Sequence, residues 1–250
     1  MMVAREPSSR FPTTQWSLVV EAAGRDTPEA REALAALCET YWYPLYAYAR
    51  RSGNTEEDAR DLIQGFFARF LEKDYLQGRS PAKGKFRSYL LAALKHFMAN
   101  EYVRARAAKR GGKQRTLSLE LDLDDGERRY AREPATNLTA EHVYEQRWAL
   151  TLLRSALAGL RARFDEDGKL EFYETLEGFL PGGRYARTYK EAADRLDMPV
   201  ERVKGVIHRL RGQYREMLRE EVAHTVSGPE EVDDEIRHLI EVVGGPSGSA

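Results

Sequence analysis

KEAADRLDMPVERVKGVIHRLR, residues 190–211, decides the fold. Ala192, Ala193 and Leu196 place small or apolar side chains on one face of a short helix, so a partner helix can approach closely. DMP (197–199) then turns a corner, and Pro199 suits the first turn of the next helix, where its missing N–H costs little. Val203, Val206, Ile207, Leu210 and Tyr214 recur at helical spacing as an inward stripe, leaving Arg202, Lys204, His208, Arg209 and Arg211 outward. Cations placed this way fit the major groove of DNA. An ordinary helical hairpin with a solvated basic face shows the same local pattern, so the rest of the chain must decide between them.

The chain of 250 residues carries a formal net charge of −1, an unusual sum for a polyanion binder. Read by segment, residues 83–115 hold ten Lys or Arg against one acid, Glu101, and residues 200–219 hold six against two. Acids gather around EEDARD (56–61), in ELDLDDGE (120–127) and in the tail from Glu220 to Glu241. Basic and acidic surfaces therefore coexist under a sum near zero. With 42% hydrophobic and 32% charged residues, the composition predicts a soluble, all-α chain. The single cysteine, Cys38, lies in an apolar helical run and reads as a small buried side chain. No apolar run reaches the ~20 residues that span a bilayer, and the polar start lacks a signal h-region; a cytoplasmic location is expected.

Two small helical domains joined by a flexible linker are expected. An N-terminal extension, 1–28, contains a short amphipathic helix at FPTTQWSLVVEAA. The first domain, 29–110, contains a helix over 31–51 that Pro44 should kink or break near Tyr43. Next comes a helix opened by Thr55 and Asp58 in a capping-box spacing, with Ala59, Leu62, Ile63, Phe66, Phe67 and Phe70 on one face. After the loop QGRSPAKGKFR, a helix runs from Ser88 to about Ala108. Residues 111–137 lack periodicity and read as the linker, with a short extended piece at TLSLELDL. The second domain, 138–219, contains a long helix marked by Leu153, Leu157, Leu160 and Phe164, a short one over 170–176, and the helix-turn-helix. An acidic C-terminal extension, 220–250, ends the chain.

In FRSYLLAALKHFMANEYVRARAAKR, Phe86, Tyr89, Phe97 and Tyr102 interleave with Lys95, His96, Asn100, Arg104 and Arg106. Unpaired bases stack on aromatics and phosphates pair with cations, so this composition suits a melted DNA strand. A charged surface helix with its aromatics in the core is the plainer alternative.

Three stretches in order, DARDLIQGFFARFL (58–71), PAKGKFRSYL (81–90) and ADRLDMPVERVKGVIHRLR (193–211), resemble motifs of the extracytoplasmic-function (ECF) bacterial RNA polymerase sigma factors. The first is similar to the region-two pattern D-A-E-D-L-V-Q-E-V-F, the second to P-x-x-G-x-F-R-x-W-L, and the third to the helix-turn-helix of region four. FPTTQWSLV and LREEVAHTV extend the resemblance to a subgroup with extended termini, common in planctomycetes and myxobacteria. The resemblance implies a protein that binds core RNA polymerase and directs promoter-specific transcription initiation, including promoter melting, with no catalysis, cofactor or metal. Region two would cover 29–110 and region four 138–219.

On this resemblance Glu57, Asp58, Asp61 and Gln64 would meet the beta-prime clamp helices of core RNA polymerase. Lys95, His96, Asn100 and Arg104 would contact promoter DNA at the minus-ten element, with Lys83, Lys85 and Arg87 near the displaced strand. Arg202, Lys204, His208, Arg209 and Arg211 would read the minus-thirty-five element. Regulation would fall to an anti-sigma factor or a Ser/Thr kinase, and no membrane partner is expected. A phosphate on Thr55 would favour the dipole of the helix it opens, against the plainer role of N-cap. Arg60 and Gly65 stand where the family usually has Glu, and Val206 stands where it usually has Arg. Two other classes remain: a stand-alone helix-turn-helix regulator, and an enzyme using Glu57, Asp58 and Asp61 as metal ligands.

Overall fold

A computed structural model describes residues 28–70, 85–107, 123–131, 137–183 and 187–244. The expected N-terminal helix, most of the loop before Phe86 and the piece at TLSLELDL lie outside the described residues, as does Lys83. The described residues form nine α-helices and no strand: α1 (Pro28–Arg51), α2 (Glu56–Phe70), α3 (Phe86–Ala107), α4 (Leu123–Ala131), α5 (Ala140–Glu166), α6 (Leu170–Leu176), α7 (Tyr189–Leu196), α8 (Val200–Ala223) and α9 (Val232–Gly244). None of them is both long and apolar enough to cross a membrane.

α1 passes through Pro44 without ending. A proline inside a helix removes a hydrogen bond and costs ~3 kcal/mol. Tyr41, Trp42, Tyr43, Leu45, Tyr46 and Tyr48 are all buried around it, and burying each large side chain gives ~1.5–3 kcal/mol, so packing outweighs the local penalty. α2 begins as its sequence predicts, with the Asp58 N–H donating to Thr55 Oγ1 at 3.1 Å. Its buried face is Ala59, Ile63, Phe66, Phe67 and Phe70, and Phe66 meets Phe97 of α3 edge-on at 5.9 Å.

α5 is the central element. Its 27 residues bury Val143, Tyr144, Trp148, Leu152, Leu153, Leu157 and Leu160 among others. Such a wide apolar face is used on more than one side: α5 packs along α1 and also against α8 and α9. One cluster of buried residues consequently runs from Cys38 on α1 to Val242 on α9. The acidic C-terminal stretch belongs to this core, through Val232, Leu239 and Val242.

Part of the segment expected as a flexible linker is a docked helix. Glu127 of α4 accepts from Arg50 Nε and Nη2, both at 3.0 Å, and from the Tyr46 hydroxyl. The Arg129 guanidinium lies over the Tyr43 ring at 5.4 Å. The short charged run hides the anchor, because what binds it is α1 rather than its own periodicity.

At the corner, Thr188 and Glu191 form a capping box, with the Glu191 N–H donating to Thr188 Oγ1 at 3.2 Å and the Thr188 N–H to Glu191 Oε2 at 2.7 Å. The Thr188 N–H, and after it the Thr188 hydroxyl, hold the Glu191 carboxyl below its ordinary range. Asp197 closes α7 in the left-handed conformation, φ 49° and ψ 50°. Asp tolerates that region better than most residues. Pro199 is the residue before α8 rather than inside its first turn, at φ −60° and ψ 142°.

Two glycines should respond oppositely to the same change. A Cβ on Gly126 would lie 2.7 Å from the Trp42 ring, whereas one on Gly212 meets nothing within 4 Å. Gly126→Ala is expected to destabilise by ~1–3 kcal/mol through overpacking, and Gly212→Ala to stabilise by ~0.5–1 kcal/mol through helix propensity, both read by denaturant unfolding.

Candidate nucleic-acid interface

Arg202, Lys204, His208, Arg209 and Arg211 are all exposed on α8, while Val203, Ile207, Leu210 and Tyr214 are buried and Val206 half-buried against the core. The cations stay outward because the inward stripe is held against α5 and α7. Lys204 pairs with Glu201 at 2.8 Å, which raises its pKa. Arg211 Nε donates to the Phe179 carbonyl at 3.2 Å, which holds one edge of its guanidinium while the residue stays exposed.

The cations expected at the minus-ten element divide into two sets. His96, Asn100 and Arg104 are exposed along α3, with Arg104 touching Glu101 at 2.8 Å. Lys95 instead reaches Glu141 of α5 at 2.7 Å and lies 5.6 Å from the Tyr48 ring centroid. The hydrogen bond raises the Lys95 pKa and lowers that of Glu141.

Arg87 does not present its charge to solvent; it is 5% exposed. Its Nε donates to Glu235 Oε1 at 2.7 Å, its Nη1 to Glu145 Oε1 at 2.9 Å, and its guanidinium lies 4.7 Å from the Trp148 ring centroid. Lys85 pairs with the same Glu235, which is fully buried. His238 Nε2 lies 3.1 Å from Glu145 Oε2 and completes the group. A guanidinium taken out of water needs such partners to offset its lost hydration.

The expected aromatic platform is mostly core: Phe86 and Phe97 are buried, and Tyr89 is half-buried beside Phe86 and Phe70. Tyr102 alone of the four is exposed, at 50%, and its hydroxyl donates to Asn54 Oδ1.

The acidic face is placed as its sequence suggests, with Glu57, Asp58 and Asp61 exposed and Gln64 half-buried. Asp58 and Asp61 line a hollow of about 230 Å³ with Asn54, Leu62, Phe97, Glu101 and Tyr102. Arg60 pairs with Glu56 at 2.6 Å, so its positive charge is partly compensated along the same helix. A Cβ on Gly65 would meet Phe97 at 3.2 Å, so close α2–α3 packing accounts for glycine there. Among the described residues no group of three His, Cys, Asp or Glu could hold a metal ion. Burial, with Glu39 adding to it, pushes the Cys38 thiol up to about 12, which leaves it protonated and unreactive at neutral pH.

Comparison with family models, with curated proteins and with solved structures finds no match for this chain. The functional reading therefore rests on its own residues.

Glu141, Glu145 and Glu235, the partners of these cations, escaped the sequence reading. One signal for Glu235 was legible: it falls on the apolar stripe Val232, Leu239 and Val242 of α9, a position where an acid requires a buried partner. Arg87→Ala, which leaves the buried Glu235 with Lys85 alone, is expected to lower unfolding free energy by ~3–5 kcal/mol. Arg104→Ala should leave the denaturation midpoint where it is, separating a structural cation from a surface one.

Proposed function

We propose that this chain is an RNA polymerase sigma factor of the extracytoplasmic-function type, working in the cytoplasm. It binds core polymerase through the acidic face of α2, reads an upstream promoter element with α8, and engages the melted minus-ten strand along α3. The observation that carries this reading is the helix-turn-helix of α7 and α8, whose left-handed corner at Asp197 leaves five residues capable of positive charge exposed on one helix. The exposed carboxylates of Glu57, Asp58 and Asp61 support it, since a basic clamp helix needs acids that are not already buried. Exposed His96, Asn100 and Arg104 offer phosphate and base contacts along a second helix.

A stand-alone helix-turn-helix regulator is favoured by one observation: Lys85, Arg87 and Lys95 are paired with carboxylates of distant helices, whereas the α8 cations are exposed and Lys204 pairs with Glu201 of its own helix. Run-off transcription with purified core polymerase separates the two. The sigma reading expects promoter-specific transcripts that depend on the added chain; tight, specific duplex binding without core polymerase, and no such transcripts, selects the regulator.

Ala at Arg202, Lys204 or Arg209 should weaken upstream-element discrimination by ~1–3 kcal/mol per lost bidentate contact, measured by competition between promoter sequences, and should spare activity on a pre-melted template. At the polymerase face, Asp61→Arg should weaken core binding and Arg60→Glu should tighten it, both effects shrinking as salt is raised.

A further inference from the structure

Three of the cations read as DNA contacts, Lys95 at the minus-ten element and Lys85 and Arg87 near the displaced strand, are paired with carboxylates from beyond residue 138. Lys85 and Arg87 hold Glu235 of α9, Arg87 also holds Glu145 of α5, and Lys95 holds Glu141 of α5. The partners are 148, 58 and 46 residues away along the chain for the hydrogen bonds Arg87–Glu235, Arg87–Glu145 and Lys95–Glu141, so none comes from the neighbouring turns that pair surface charges in a helix. Each carboxylate offers its cation what a DNA phosphate would offer: anionic oxygens within hydrogen-bond distance.

We infer that α9 is an intramolecular competitor for DNA, its Glu235 carboxylate holding at the start of α3 the place of a backbone phosphate of the unpaired strand. The inference rests on the reading of α3 as the minus-ten contact. α9 is suited to this work because it docks through a narrow apolar stripe, Val232, Leu239 and Val242, with Ile236 and Val243 half-buried beside it, while Glu241 lies on its exposed side. Glu235 points the other way, into the core, and is the residue of α9 that meets Arg87.

The competition lowers apparent affinity by the fraction of molecules in which α9 is released. The full chain is titrated with a fluorescein-labelled single-stranded DNA of about 20 nucleotides, followed by anisotropy over a salt series. Glu235→Ala is compared with Glu241→Ala, which removes the same charge from the exposed side of α9. Glu235→Ala should bind about tenfold more tightly at low salt. Its salt slope should steepen by ~0.7, for the one phosphate that takes the place of Glu235, while Glu241→Ala follows the unaltered chain. Equal behaviour of the two variants overturns the inference.

Because Glu235→Ala leaves a buried guanidinium short of a partner, hydrogen exchange puts the same question to the unaltered chain. Saturating DNA should strip protection from amides 232–244. Bound DNA with α9 still protected overturns the competition and leaves the proposed function standing if promoter-dependent transcripts are made. No DNA binding by any form, with no such transcripts, removes both.

Discussion

The arrangement of this molecule depends on one charged group in its interior. Arg87 stands in the first turn of α3 with its guanidinium over Trp148 of α5, between Glu145 of α5 and Glu235 of α9. Tyr144 donates its hydroxyl to the Arg87 carbonyl at 2.9 Å, so side chain and backbone of one residue are both held by α5. Replacing such a group with well-packed apolar residues would often be neutral or stabilising, so stability alone does not account for it. Its effect is registry: apolar faces slide past one another at little cost, whereas a guanidinium with two carboxylate partners fixes which turn of α3 meets which turn of α5 and α9.

From that registry follows the use of α5 as a shared wall. Its buried face serves α1 on one side and α8 and α9 on another, so helices far apart in the chain are parts of one apolar cluster. Trp148, fully buried, is the meeting point of the two kinds of interaction, as core side chain and as the ring beneath Arg87. The acidic segment 123–131 adds a smaller version of the same device, in which Glu127 is held by Arg50 and Tyr46 of α1.

The net charge of −1 acquires a structural meaning from these pairs. Some of the negative charge is paired within the chain, with Lys85, Arg87 and Arg50 and, at the surface, with Lys95, and some stays exposed on Glu57, Asp58 and Asp61. Among the described residues, Arg202, Lys204, Arg209 and Arg211 on α8 and Arg104 on α3 keep their positive charge outward. A count of charges along the chain could separate basic from acidic segments; it could not tell an acid that faces water from one that holds a buried arginine.

Periodicity and turn chemistry by themselves determined the helices and the corner. The apolar spacing of α2 and α8, the Thr55 and Thr188 caps, and an Asp able to take the left-handed conformation are local properties, carried by neighbours within a turn or two. Local rules failed where a distant element supplied the energy: α1 runs through Pro44 because the aromatic side chains around it are buried, and α4 is a helix because α1 receives Glu127 and the ring of Trp42 lies against Gly126. The same division holds for the candidate interface. Arg202, Lys204, His208, Arg209 and Arg211 were legible as outward because the buried stripe of their own helix dictates it. Arg87, Phe86 and Phe97 were not, because nothing within α3 says that α5 and α9 cover its first turn or that α2 covers its aromatic side; burial there is decided by which surfaces meet, and that only the tertiary structure sets.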